Sequence, residues 1–343
     1  MPFKIDVDGT NVSFEANEGE SVLEAALRAG FELPYDCQCG SCSTCRVYIA
    51  NGTVRYDFPP VALAPEEEDA GYALACQAIP ESNVVIQLSS TEIPNTDDDI
   101  PISTPPRVAR VKENVQVADN VRHLSLAVPE EGFDYRAGQY LNFVLPNGEH
   151  RSFSMASAPP SETIDVHIRQ VPNGLFSERI APDLVSGDQV TIAGPYGQFG
   201  YQGDDGRLPI FVAGGTGLAP IKSILESHFL KIGAQNARLY WGVRSYRDLY
   251  LHSTLAEYVQ QWPHIRYEPV LSMPGEGDPK SIRTGMVHEA ALEDLTNLSK
   301  VTVYACGPPP MIEATKREFL RLGLDPAYFF ADSFDYSYER QTA

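Results

Sequence analysis

The sequence predicts a multidomain protein of α+β and α/β modules. Three observations carry this. Cysteines crowd into a short hairpin–helix–strand pattern at the N-terminus, a run of β-type segments fills the middle, and from about residue 207 strands alternate with helices. At 343 residues the chain is long enough for two or three cores, and 43% apolar with 10% aromatic residues suits an ordinary globular protein.

In order, the opening reads as a hairpin, KIDVD then NVSFEA, turning near Asp8-Gly9. Ser21 and Glu24 then have capping-box spacing ahead of the helical stretch SVLEAALRAG, which stops at Gly30. CRVYIANG and NVVIQL supply further strands of a small α+β module. IPNTDDDIPISTPP is rich in Pro and Asp, lacks periodicity and reads as a linker. RVARVKENV, RHLSLAV, QYLNFVL, TIDVHIRQV and QVTIAG are short strands parted by turn signals such as Asn147-Gly148, which predicts an antiparallel barrel or sandwich. PIFVAGG, ARLYWGV, IRYEPVLS and VTVYACG are then interleaved with helical stretches such as APIKSILESHFLKIG, implying a parallel sheet covered by helices. The expected division is 1–93, a linker over 94–105, then 106–204 and 205–343.

Charge and hydropathy exclude several classes. Residues 1–100 hold 4 Lys/Arg against 18 Asp/Glu, so most of the net charge of −20 lies there, which argues against nucleic-acid or anionic-membrane binding. That acidity would serve docking to a basic partner surface or simply solubility. No apolar run reaches the ~18–20 residues of a membrane span. The first residues lack the basic and apolar regions of a signal peptide, so a cytoplasmic location is expected.

Five of the six cysteines lie within the first 76 residues. Clustered cysteines in a cytosolic chain are more often metal ligands than disulfides. Cys37, Cys42 and Cys45 have the C-x4-C-x2-C spacing of plant-type [2Fe–2S] sites, with Cys76 as the distant fourth thiolate. Cys39, Cys42 and Cys45 also begin a C-x2-C-x2-C run, but Ile49-Ala50 stands where a [4Fe–4S] motif wants Cys-Pro. A structural zinc tetrad is the other alternative. With a two-iron cluster, Cys39 is a bystander thiol.

In the middle module, Arg151-Ser152-Phe153-Ser154 offers a cation for a diphosphate, a ring to cover a flavin, and a hydroxyl, Ser154, for the reactive flavin nitrogen. The bland reading is a surface Arg beside a buried Phe. His167-Ile168-Arg169 on a strand, followed by the loop containing Gly174, Phe176 and Ser177, would add exposed amides for phosphate. In the last module Gly214, Gly215, Thr216 and Gly217 form a strand-to-helix turn suited to pyrophosphate. Cys306-Gly307-Pro308 ends a later strand at the carboxyl edge, where nucleotides bind, and Cys306 there is no nucleophile because hydride transfer needs none. After ARLYWGV the chain offers Arg244, Arg247 and Asp248. An acid there receives ribose hydroxyls, so NADH is expected with NADPH as the alternative.

DCQCGSCSTC, RSFSMAS, GPYGQFG, VAGGTGLAP and YACGPPPMI, in that order over nearly the whole chain, resemble the reductase components of bacterial multicomponent oxygenases. The resemblance implies a β-grasp plant-type ferredoxin domain, a six-stranded antiparallel β-barrel binding FAD, and a parallel-sheet α/β domain binding the nicotinamide nucleotide. It implies electron flow from NADH through FAD and [2Fe–2S] to a terminal oxygenase. That partner is expected to be a di-iron hydroxylase of alkenes, alkanes or phenols in aromatic or alkene catabolism. A Rieske ring-hydroxylating dioxygenase, or a deoxysugar-biosynthesis acceptor, is the alternative. Two departures stand out: Phe153 replaces the commoner Tyr, and Asp332-Ser333-Phe334 stands where relatives have Glu-Lys-Phe. Asp332 and Phe334 are therefore expected beside the flavin, with Ser154 and Cys306 near the reacting atoms.

Overall fold

A computed structural model describes residues 2–31, 33, 35, 40, 45–57, 60, 63, 65–88, 106–130, 132–146, 150–172 and 174–333. Cys37, Cys39, Cys42, Phe334 and the proposed linker over 94–105 lie outside them. The chain divides into two units, Met1–Thr104 and Pro105–Ala343. No helix among the described residues is long and apolar enough to cross a membrane.

In the first unit the elements run β1 (Phe3–Val7), β2 (Ser13–Ala16), α1 (Val22–Arg28), β3 (Arg46–Asn51), β4 (Val54–Arg55), α2 (Pro65–Asp69), β5 (Tyr72–Leu74), β6 (Ile79–Pro80) and β7 (Val84–Gln87). The main sheet has the order β2-β1-β7-β3-β5, with β1 and β7 parallel and the other pairs antiparallel. Alternation decides which face is buried: Ile5 and Val7 point inward beside Phe14 and Ala16. The capping box forms as its spacing predicts. Ser21 Oγ accepts from the Glu24 amide at 3.2 Å, and Glu24 Oε2 accepts from the Ser21 amide at 2.9 Å.

The second unit begins with six strands, β8 (Arg107–Ala118), β9 (Val121–Ala127), β10 (Tyr140–Val144), β11 (His150–Ser154), β12 (Thr163–Arg169) and β13 (Gln189–Tyr196). They form an antiparallel sheet in the order β11-β10-β13-β8-β9-β12. A Met155–Val166 bridge joins its two edges and closes it into a barrel. Leu124, Leu141, Phe143, Val166, Ile168 and Ile192 fill the interior.

The rest of the unit runs β14 (Leu208–Gly214), α3 (Leu218–His228), β15 (Ala237–Val243), α4 (His252–Gln261), β16 (Ile265–Leu271), β17 (Arg283–Thr284), α5 (Val287–Glu293), β18 (Val301–Gly307), α6 (Pro309–Arg321) and β19 (Phe329–Ser333). The sheet is parallel throughout, in the order β17-β16-β15-β14-β18-β19. Buried on both faces, β14 and β18 are mostly apolar rather than alternating, Thr302 being the polar residue buried in β18. One face holds Phe211, Leu225 and Trp241, the other Val212, Tyr240 and Phe319. The strand order reverses between β14 and β18, and the carboxyl edge at such a switch point is where open α/β sheets bind ligands.

Candidate functional site

Carboxyl-edge geometry explains the glycines. A Cβ on Gly217 would lie 2.1 Å from the carbonyl oxygen of Cys306, and one on Gly214 would lie 2.5 Å from Met311 Sδ. Gly215 has φ +55, and a Cβ there would lie 2.8 Å from Arg169 Nη1. These contacts press the turn between β18, α6 and the barrel, and Thr216 is buried within it. The Gly215 carbonyl accepts from Trp241 Nε1 at 2.9 Å. Cys306 is wholly buried and points its thiol at Asp332 Oδ2, 3.8 Å away on the neighbouring strand β19. Cys306, expected near the reacting atoms, is thus adjacent to Asp332, expected beside the flavin. Pro308 precedes α6 as its N-terminal flank. Asp248 caps its own short turn, Oδ2 accepting from both the amide (2.9 Å) and the hydroxyl (2.8 Å) of Ser245.

On the barrel, Arg151, Phe153 and Ser154 all lie on β11, paired with Phe143, Leu141 and Tyr140 of β10. The Phe153 ring packs against Phe143 and Phe176, centroids 5.6 and 5.3 Å away. The loop beyond β12 is held by Ser177 Oγ, which accepts from the Val171 amide at 3.1 Å. A Cβ on Gly174 would lie 2.6 Å from that same oxygen, so the loop closes only with glycine there. Ile168 is wholly buried in the barrel, which leaves only its main-chain groups for a ligand.

His167, one residue earlier on β12, faces the opposite way. Its Nδ1 lies 3.0 Å from the Tyr250 hydroxyl, and its ring meets His123 edge-on. Burial first, then the Lys222 and His123 charges, push its pKa down to about 3, so the imidazole is neutral. The barrel and the parallel sheet are joined further by α3. There Lys222 Nζ donates to the Ala156 carbonyl at 3.2 Å and Ser223 Oγ to the Ser157 carbonyl at 2.6 Å. Sequence reasoning missed Trp241, Tyr250, Lys222 and Ser223.

In the first unit, Cys45 and Cys76 are brought together. Cys45 precedes β3 and is buried, Cys76 follows β5, and the Ala75 amide donates to the Cys45 carbonyl at 2.9 Å. The Cys76 turn is tied to α1, whose Leu23 and Val22 amides donate to the carbonyls of Ala75 and Ala78, both at 2.9 Å. Gly40 has φ +75, and a Cβ there would sit 2.3 Å from Gln77 Oε1, beside the Cys76 turn. Neither thiol is in a disulfide. A buried cysteine and its neighbour, in so tight a cradle, fit half the ligand set of a two-iron cluster.

A barrel with an Arg-x-aromatic-Ser strand, docked on a parallel sheet with a glycine turn at its switch point and preceded by a cysteine-bearing α+β unit, defines an NAD-linked iron–sulfur flavoprotein oxidoreductase. Comparison with known proteins agrees along the chain. Residues 5–81 match the 2Fe-2S iron-sulfur cluster binding domain, 108–201 the oxidoreductase FAD-binding domain, and 211–317 the oxidoreductase NAD-binding domain. The chain is 35% identical to the reductase component 1 of terephthalate 1,2-dioxygenase from Comamonas, covering 97% of this chain and 98% of that one. It is 33% identical to the phenol hydroxylase P5 protein of Acinetobacter pittii, over 92% and 89%. The crystal structure of a cytochrome P450 reductase from Amycolatopsis superposes with a TM-score of 0.73 at 31% identity, over 97% and 99%. The chain belongs to this family of FAD- and [2Fe–2S]-dependent, NAD-linked electron-transfer reductases, which includes the reductase components of oxygenases.

Proposed function

We propose that this chain oxidises NADH and delivers the electrons singly, through FAD and a [2Fe–2S] cluster, to a terminal oxygenase. The observation that supports the reading is the close approach of Arg169 of the barrel to Gly215 of the glycine turn, where an added Cβ would lie 2.8 Å from Arg169 Nη1. When bound, FAD supplies the exchange between paired and single electrons that a nicotinamide and a two-iron cluster lack between them.

The chain's own residues do the rest. Arg151 pairs with the flavin diphosphate, Ser154 hydrogen-bonds the reactive flavin nitrogen, and Phe153 walls the ring system. Main-chain groups of His167, Ile168 and Arg169, with the loop through Gly174, Phe176 and Ser177, hold the remainder of FAD. Gly214, Gly215, Thr216 and Gly217 let the nicotinamide pyrophosphate approach the amides at the start of α3, opposite Cys306, Gly307 and Pro308. Asp248 offers its second carboxylate oxygen to a ribose hydroxyl, hence the preference for NADH. Cys306 and Asp332, one wholly and one nearly buried, keep water from the nicotinamide end, and Phe334 lies two residues beyond Asp332 in the sequence. Cys37, Cys42, Cys45 and Cys76 hold the cluster. The domain limits proposed are 1–93, 106–204 and 205–343.

The acceptor is taken to be a hydroxylase, as the phenol hydroxylase relative supports. A dioxygenase is the second reading, favoured by the terephthalate relative. Anaerobic titration of the purified chain with NADH, followed by visible absorption and EPR, tests the relay. Flavin bleaching and a reduced two-iron signal are expected, and a colourless polypeptide from which neither flavin nor iron can be recovered refutes it. Coupling of NADH oxidation to product with purified hydroxylase, but not dioxygenase, separates the two acceptors.

A further inference from the structure

The side chains of β12 that face the parallel sheet are His167 and Arg169, two residues apart and so on one face of the strand. Arg169 comes close to Gly215, where an added Cβ would lie 2.8 Å from its Nη1. His167 reaches the same residue by a relay: its Nδ1 lies 3.0 Å from the Tyr250 hydroxyl, the Tyr250 ring stands at 88° to Trp241 with centroids 5.2 Å apart, and Trp241 Nε1 donates to the Gly215 carbonyl at 2.9 Å. Trp241 is wholly buried and His167 nearly so, so neither ring has room to swing away.

We propose that Trp241, Tyr250 and His167 form a positioning strut, which fixes the nicotinamide turn at Gly215 relative to the flavin barrel. His167 then serves through its side chain as an anchor on β12 rather than as a flavin contact. Three features favour this over ordinary core packing. Each end of the relay is a directional hydrogen bond, and apolar rings would have filled the same space without one. The relay ends on a main-chain carbonyl of the turn, where a shift of one ångström changes the approach of a bound nucleotide. Its groups also hold fixed protonation: the imidazole is neutral, and burial pushes the Tyr250 phenol far above its usual range.

The inference rests on the proposed transfer from nicotinamide to flavin, and the test keeps the two apart. The full chain, loaded with FAD, is mixed anaerobically with NADH, and the rate of flavin bleaching is followed against NADH concentration. Tyr250→Phe removes one hydroxyl and keeps both ring contacts. It is expected to lower the limiting rate per bound flavin about two- to tenfold while leaving the apparent Kd near that of the unaltered chain. Trp241→Phe, which cuts the bond to the turn itself, is expected to raise the apparent Kd by a similar factor. Combining Tyr250→Phe with His167→Asn should cost no more than the more damaging single change, because both break the same bond. Flavin content and melting temperature are measured on the same samples. Tyr250→Phe bleaching at the unaltered rate, even in a protein that melts earlier, overturns the strut, as do additive losses in the double variant. An unaltered chain that fails to bleach refutes the proposed function instead.

Discussion

Replacing Gly217 by alanine tests the nicotinamide crevice most directly. The added methyl would sit 2.1 Å from the Cys306 carbonyl oxygen, 2.5 Å from its carbon and 2.9 Å from the Gly307 nitrogen. All three are main-chain atoms of β18, a strand buried along its whole length between β14 and β19. No rotamer relieves such a clash, so either β18 or the turn must move. The turn is the weaker element, since it is a single 3-10 turn leading into α3. Overpacking of this kind costs about 1–3 kcal/mol. For a unit of this size, that lowers the melting temperature by about 2–12 °C. Displacement of the turn also weakens nucleotide binding, tenfold for each ~1.4 kcal/mol not recovered in the complex. The assay pairs a thermal melt of the full chain with the KM for NADH in ferricyanide reduction. Gly277→Ala is the control, because a Cβ there meets nothing within 4 Å. A Gly217→Ala protein that melts and binds NADH as the Gly277→Ala protein does would refute the close approach of the turn to β18.

Further perturbations probe the other modules. Cys76→Ser should abolish the reduced two-iron EPR signal and cytochrome c reduction while sparing ferricyanide reduction at the flavin; loss of both activities would place the flavin after the cluster. Ser21→Ala breaks the capping box of α1 at a cost of about 1 kcal/mol. Because the Val22 and Leu23 amides hold the turn around Cys76, the visible absorbance of the cluster should bleach at a lower temperature than in the unaltered chain. Asp165 carries an acid-stability prediction. Burial raises its pKa, but hydrogen bonds from His123 and Ser125 and the His123 charge outweigh it and hold the carboxyl down at about 2, against an ordinary 3.8. A depressed carboxyl stabilises the fold above its unfolded pKa, and that stabilisation is lost as pH falls toward its folded value. Urea midpoints of the unaltered chain should therefore drop between about pH 4 and pH 2. Those of Asp165→Asn should drop less steeply over that window.

What the sequence disclosed and what it withheld follow from the range of the interactions involved. Hairpins, capping box and glycine turn rest on neighbours within a few residues, so β1, β2, α1 and the turn from β14 into α3 were all readable from local pattern. The strand β11 was quoted as a motif but not read as a strand, because His-Arg-Ser-Phe-Ser has a single apolar residue and no inward stripe. Its place in the barrel is set by partners on β10 and by the Met155–Val166 bridge that closes the sheet. Helix α4 escaped for a related reason: it buries only Leu255, too little to mark a period. Asp248 shows how one residue can satisfy two local rules. Ser245-Tyr246-Arg247-Asp248 has capping-box spacing, and the same acid follows a nucleotide-domain strand where a ribose would bind. The spacing alone does not choose between the two, whereas hydrogen bonds to both Ser245 groups show that the cap is formed. His167 and Tyr250 lie furthest from legibility, being 83 positions apart on different modules. A histidine on an alternating strand and a tyrosine after a short turn carry no mark of each other. Only the docking of barrel on sheet makes them partners, and a contact of that kind is a property of the assembled unit, not of either segment.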